Sequence, residues 1–255
     1  MKRFGFKSGI GLLALSVGLL AACTTSSGEL QGGEKSQSPA PSEGKPHPSD
    51  GLDLTISEKG FTASSDSGSD PTVNYAAFIN NESKDAAVDI KVKVRFLDEG
   101  GDPIIDKGAG EDTLTTEIYS IAPGEKQPVT GVSHMEEDGT DSLEVKVESA
   151  KWYPGHDKRF RPMSVSKPEA TMDDKKIFLN FTVTSPYNED VPTNKTRAVF
   201  RDKSGDIIGG SLASDASDSN YVPGENMTTI KMFRGMPTGI DTSSIEVYVT
   251  HEVKG

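Results

Sequence analysis

"AAVDIKVKVRFLD", Ala86 to Asp98, alternates apolar and charged residues along most of its length. Val88, Ile90, Val92, Val94 and Phe96 fall on one side of an extended chain, and Asp89, Lys91, Lys93 and Arg95 on the other. Successive side chains of a strand point to opposite faces, so this pattern predicts a half-buried antiparallel strand with one solvated face. "KIFLNFTV" (Lys176 to Val183) repeats it with Ile177, Leu179, Phe181 and Val183. "SIEVYVTHEV" (Ser244 to Val253) does so with Ile245, Val247 and Val249. Short strands bounded by Gly, Pro, Asp and Asn argue for an all-β sandwich.

The chain also resembles itself. "VRFLDEGGDPIID" (Val94 to Asp106) returns as "AVFRDKSGDIIGG" (Ala198 to Gly210), matching Phe96 with Phe200, Asp98 with Asp202, Gly101 with Gly205 and Asp102 with Asp206. "SIAPGE" from Ser120 returns as "NYVPGE" from Asn220, and "SLEVKVESAKW" from Ser142 matches "SIEVYVTHEV" from Ser244. An offset of about one hundred residues means tandem domains, because solenoid repeats run about 20 to 50. The expected organisation is two tandem β-sandwich domains, 51–152 and 162–255. The block of strand, Asp-x-x-Gly hairpin, strand and Pro-Gly-Glu resembles bacterial FxLYD domains, Ig-like modules common in exported lipoproteins and generally without assigned activity. Val94 to Asp98 and Ala198 to Asp202 are the motif positions. The resemblance implies an Ig-like sandwich and an exported location.

Ahead of the repeats stands Cys23, the only cysteine in 255 residues. Lys2, Arg3 and Lys7 form a basic start, and "GIGLLALSVGLLAA" (Gly9 to Ala22) is an uncharged run too short to span a bilayer. This is the pattern of a secretory signal peptide, 1–22. Leu20-Ala21-Ala22-Cys23 resembles the lipobox of bacterial lipoproteins. That family implies a diacylglyceryl group on the Cys23 thiol, cleavage before it, and N-acylation of the new amine. A disulfide within the chain is excluded by the count. A lone thiol at a mature N-terminus also has no folded surroundings to lower its pKa. Two or more acyl chains anchor stably, at about 0.8 kcal/mol per buried CH₂. The expected location is outside the cytoplasm, on the outer face of the cytoplasmic membrane, or on the outer membrane of a diderm host.

Residues 23–50 are rich in Ser, Gly, Pro, Glu, Gln and Lys and hold one large apolar residue, Leu30. Such a stretch buries too little to offset its ordering entropy and reads as a flexible linker. The formal net charge of -12 opposes binding to nucleic acid and to anionic lipid.

Chemistry is sparse. His47, His134, His156 and His251 lack metal-ligand spacing, and His251 is expected at an edge or surface. No nucleophile elbow, phosphate loop or dinucleotide fingerprint occurs, so no enzyme, metal or cofactor beyond the Cys23 lipid is expected. Asp98, Glu99 and Asp102 are candidate calcium ligands, but Asp and Gly are equally what a hairpin turn requires. Trp152, Tyr153, Arg159, Phe160 and Arg161 gather between the two copies. They are either a partner-binding surface, for an envelope protein or wall polymer, or the filling of the joint. The functional expectation is a non-catalytic binding or positioning module at the envelope. The alternative is a structural spacer without a ligand, and a hydrolase or metal-dependent enzyme comes third.

Overall fold

The computed structural model describes residues 44–47, 53–65, 70–173, 176–191, 194–213, 220–232 and 236–252. The stretch read as a signal peptide, Cys23, and all of the stretch read as a linker except 44–47 lie outside them. The described residues belong to one compact unit, Ser42–Gly255. Its first seven strands are β1 (Leu54–Ser64), β2 (Thr72–Asn81), β3 (Ala86–Leu97), β4 (Pro103–Ile104), β5 (Leu114–Ile121), β6 (Lys126–His134) and β7 (Ser142–Tyr153). Then follow β8 (Ser164–Val165), β9 (Glu169–Asp173), β10 (Lys176–Ser185), β11 (Asn194–Arg201), β12 (Ile207–Leu212), β13 (Gly224–Met232) and β14 (Glu246–His251).

These form four antiparallel sheets, consistent with two β-sandwiches. In the first, β1-β2-β6 faces β3 with its neighbours β4, β5 and β7, and a core including Tyr75, Ile79, Ile90, Phe96 and Ile118 lies between them. In the second, β10 with β8, β9 and β13 faces β12-β11-β14 across Leu179, Phe181, Phe200 and Tyr221. The repeat holds at the level of register. Arg95 pairs with Glu144 as Val199 pairs with Glu246, one position before Phe96 and Phe200. Both phenylalanines are fully buried.

One alternation does not run as far as its pattern. Val88 was expected beside Ile90, yet it packs with Ala86 and Phe160, apart from the main core. The β3–β7 pairing shifts register on both sides of Lys91, and Asp89 sits at φ 50. A bulge turns a strand by one residue and exchanges its faces. Ala87 therefore faces the core and Val88 faces away. The same irregularity turns Ala150 and Trp152 inward on β7.

The two sandwiches meet sheet against sheet. Ala76 and Phe78 of β2 pack on Val199 of β11 and Ile207 of β12, with Tyr248 of β14 edge-on to Phe78 at 5.3 Å. β2 is thus buried on both faces, which explains why "NYAAFI" (Asn74 to Ile79) carries no charge. Two glycines let the layers close. A Cβ on Gly60 would strike the Ile207 carbonyl, and one on Gly209 would strike Asn74, whose Oδ1 accepts from the Gly210 amide at 2.6 Å. Around the rim Arg201 bonds Glu58 at 2.6 Å and Glu246 at 2.8 Å.

If this contact couples the sandwiches, Phe78→Ala loses about 3–5 kcal/mol by cavity formation and Gly60→Val about 1–3 kcal/mol by overpacking. Urea unfolding followed by Trp152 fluorescence and by circular dichroism checks it. The expected result is one shared transition whose midpoint falls in both variants.

Candidate functional site

The segment between the sandwiches is held from both sides. Trp152 ends β7 inside the first core, 3 % exposed. Pro154 to Asp157 make a turn, and the Asp157 carboxylate accepts from the Arg159 amide at the start of a 3₁₀ turn, Lys158–Phe160. Phe160 packs on Ala86, Val88 and Tyr153, covering the patch that the β3 bulge turned outward. Arg159 ion-pairs with Asp157 at 2.7 Å and donates to the Gly44 carbonyl at 3.0 Å. From the second sandwich, the Tyr187 hydroxyl donates to the carbonyls of Arg159 at 3.0 Å and Arg161 at 2.6 Å. Of the five residues singled out in sequence, Trp152 and Phe160 are interior. Tyr153 and Arg159 are half-buried, and Arg161 is exposed.

Two expectations change here. Gly44 to His47, the described end of the stretch read as flexible linker, docks on this joint. The His47 amide donates to the Trp152 carbonyl at 3.0 Å and its ring lies 3.4 Å from Asp85. His251 is 8 % exposed rather than at the surface, stacked edge-on with Tyr187, and its Nε2 lies 3.3 Å from the Arg159 carbonyl. Burial holds its pKa below the usual histidine value, against a smaller raising effect of that carbonyl.

The acidic turns serve backbone geometry. Asp98 Oδ1 accepts from the Asp102 amide at 2.8 Å, and the Asp98 carbonyl accepts from Gly101 at 3.0 Å. Asp202 repeats this with Asp206 at 3.0 Å and Gly205 at 3.1 Å. Gly101 and Gly205 stand at φ 84 and 91, where a side chain is strained. Glu99, at the tip, has its counterpart in Lys203. Among the described residues no group of three or more His, Cys, Asp or Glu could hold a metal ion.

Sequence reasoning missed two features. The first is Arg197, which alternation places with the solvated charges, as its counterpart Lys93 is. Lys93 does reach solvent and bonds Glu148 at 2.6 Å. Arg197 is 3 % exposed between the sandwiches, and its Nη2 donates to the Glu117 carbonyl at 2.7 Å. Burial pushes its pKa down to about 10, so it keeps its charge at neutral pH. The signal was the uncharged run of β2, the mark of a strand covered on both faces.

The second is a groove of about 560 Å³ at the junction, running between Pro162–Pro168 and Ser243–Val249 with Glu125, Lys126 and Gln127 at one side. Its inner wall is the flank of the second core, Met163, Ile245, Val247 and Val249. A second, larger recess of about 650 Å³ lies on the outer face of β3, β5 and β7. There the charges satisfy one another: Lys93 with Glu148, Arg95 with Asp112 at 3.1 Å and Glu144 at 3.6 Å.

No protein-family model matches the chain, and no curated protein matches it either. What stands is an all-β protein of four antiparallel sheets. Among the described residues no helix is long and apolar enough to cross a membrane.

Two outcomes are expected. Asp98→Ala and Asp202→Ala each cost about 0.5–1.5 kcal/mol through the lost turn hydrogen bond, equally with calcium or with EDTA. Thermal melts in both buffers check this. For His251 the folded state favours the neutral ring, so the unfolded chain binds more protons as pH falls. Its contribution is complete above the unfolded pKa of about 6.5 and is lost as pH drops through the lower folded value. A His251→Gln variant therefore loses less stability than the parent between pH 7 and 5, read as the difference of their melting temperatures.

Proposed function

We propose that this chain is an exported lipoprotein of tandem Ig-like, FxLYD-type sandwiches, anchored through a lipidated Cys23, which binds or positions a partner at the cell envelope without catalysis. The basic start, the apolar run and Leu20-Ala21-Ala22-Cys23 support the anchor. The paired hairpins at Asp98 and Asp202, with matched hydrogen bonds and matched register, support the tandem reading. The observation that carries the binding role is the groove at the junction, a recess of mixed polar and apolar lining at a place where two structural units meet. The membrane contact is through lipid alone, since an acidic chain is repelled by an anionic surface. The spacer reading draws on a different observation. The buried contact of β2 with β11 and β12 makes the two sandwiches a stiff stack rather than beads on a string.

A Cys23→Ala variant expressed in a bacterial host moves from the detergent phase to the aqueous phase on Triton X-114 partitioning and stops incorporating labelled palmitate. Retention of that variant with the membrane would place the anchor elsewhere.

A further inference from the structure

We propose that the open edge of β14 takes up an extended, alternating peptide strand from a partner protein, adding a strand to the β12-β11-β14 sheet. This rests on the binding reading above and names its partner chemistry. β14 pairs with β11 along its whole length, from Asn194↔His251 to Val199↔Glu246, without a register shift. Its other edge pairs with no strand among the described residues. That edge is what the groove exposes. Ser243 to Val249 all line it, residue after residue, and so do Pro162 to Pro168 on the opposite side. A sheet face contributes alternate residues to a surface, whereas an edge contributes consecutive ones.

β14 carries few of the usual protections of an edge, its one charge being Glu246, which Arg201 holds. Glu-Val-Tyr-Val-Thr-His has no proline, glycine or lysine and no bulge. The facing segment is already engaged elsewhere, since Ser164 and Val165 pair with β10 and the Ser166 amide donates to the Thr182 carbonyl. The first copy shows the corresponding edge in use. There β7 stands where β14 stands, with Leu143 matching Ile245. The Leu143 carbonyl accepts from Lys59 Nζ, and the Trp152 carbonyl accepts from the His47 amide in an antiparallel bridge. The chain covers that edge with its own residues in one copy, whereas in the other it pairs with no strand among the described residues.

The groove walls specify the side chains. One side of an added strand would meet Met163, Ile245, Val247 and Val249, which belong to the second core. The other side would meet Glu125, Lys126, Gln127 and Tyr248. The occupant is therefore a strand with an apolar residue at every second position and neutral polar residues between. At about 3.3 Å per residue, a strand of five residues runs beside Ile245 to Val249. Main-chain hydrogen bonds supply the affinity and alternate pockets the selectivity, as in β-strand addition generally.

Amide hydrogen exchange on the full-length protein in detergent tests this, with acetyl-Lys-Thr-Val-Thr-Val-Thr-Lys amide as the probe. The β14 amides that point away from β11 exchange fast in the free protein. The peptide slows them by about tenfold or more, as expected when open backbone groups gain hydrogen-bonded partners. The same peptide N-methylated at alternate residues has no effect. Ser164→Trp or Ser243→Trp, both placing a large ring in the groove mouth from an exposed position, weakens the protection. In either variant, unchanged exchange of the β11-paired amides certifies the fold. The proposal is overturned if the groove-side amides are already slow in the free protein at every concentration. It is equally overturned if N-methylation leaves the protection intact, or if protection grows with protein concentration without peptide, which would make a second copy the occupant. The Cys23→Ala variant run in parallel separates the two readings, since loss of the anchor leaves the exchange pattern as it is.

Discussion

The fold depends on one contact, the burial of the outer face of β2 beneath the second sandwich. Phe78 is the centre of it, fully buried against Val199 and Ile207, with the Lys126 ammonium 3.9 Å from its ring and Tyr248 edge-on. Burying a phenylalanine contributes about 1.5–3 kcal/mol by transfer alone, a sizeable share of the net stability of a domain. Close approach is bought by Gly60 and Gly209, whose missing side chains let backbone meet backbone and side-chain amide. Asn74 accepts from the Gly210 amide across the gap, and Arg197 Nη2 reaches the Glu117 carbonyl of β5 in the other sheet of the first sandwich.

The contact is heterologous: β1-β2-β6 of the first copy meets β12-β11-β14 of the second, and these are not equivalent sheets. A head-to-tail contact of this type propagates unless the outer faces refuse it. They do refuse it. The β3 face counterpart to Arg197 and Val199 carries Lys93 and Arg95, paired with Glu148, Asp112 and Glu144. The outer face of β10 presents Asn180 and Thr184 to solvent where β2 presents Asn74, Ala76 and Phe78 to a neighbour. Stripping those ion pairs and hydroxyls of water would cost more than a flat surface returns.

The same asymmetry leaves the second sandwich incomplete at its flank. In the first copy β1 runs eleven residues beside β2 and its Lys59 reaches β7. In the second the corresponding place is divided between β8 and β9, both short. The groove is the space that this division leaves, and it falls beside the joint where Gly44 enters, Arg159 is clamped and His251 is buried.

Strand content, the internal repeat and the hairpins were legible in the residues alone. Alternation and turn chemistry are local, and Asp98 and Asp202 fold their turns with residues at most four positions away. The sequence left the choices for Trp152 and the acidic turns open, because a side chain's orientation depends on register. Only the tertiary structure decided those. The bulge at Asp89 reversed Val88 and brought Trp152 inward, a one-residue shift that no periodicity marks. The partner of the outer face of β2 and the burial of Arg197 both join residues eighty or more positions apart. Such contacts are set by how two finished sheets fit, and a pattern of period two says only that a face is apolar, never what will cover it.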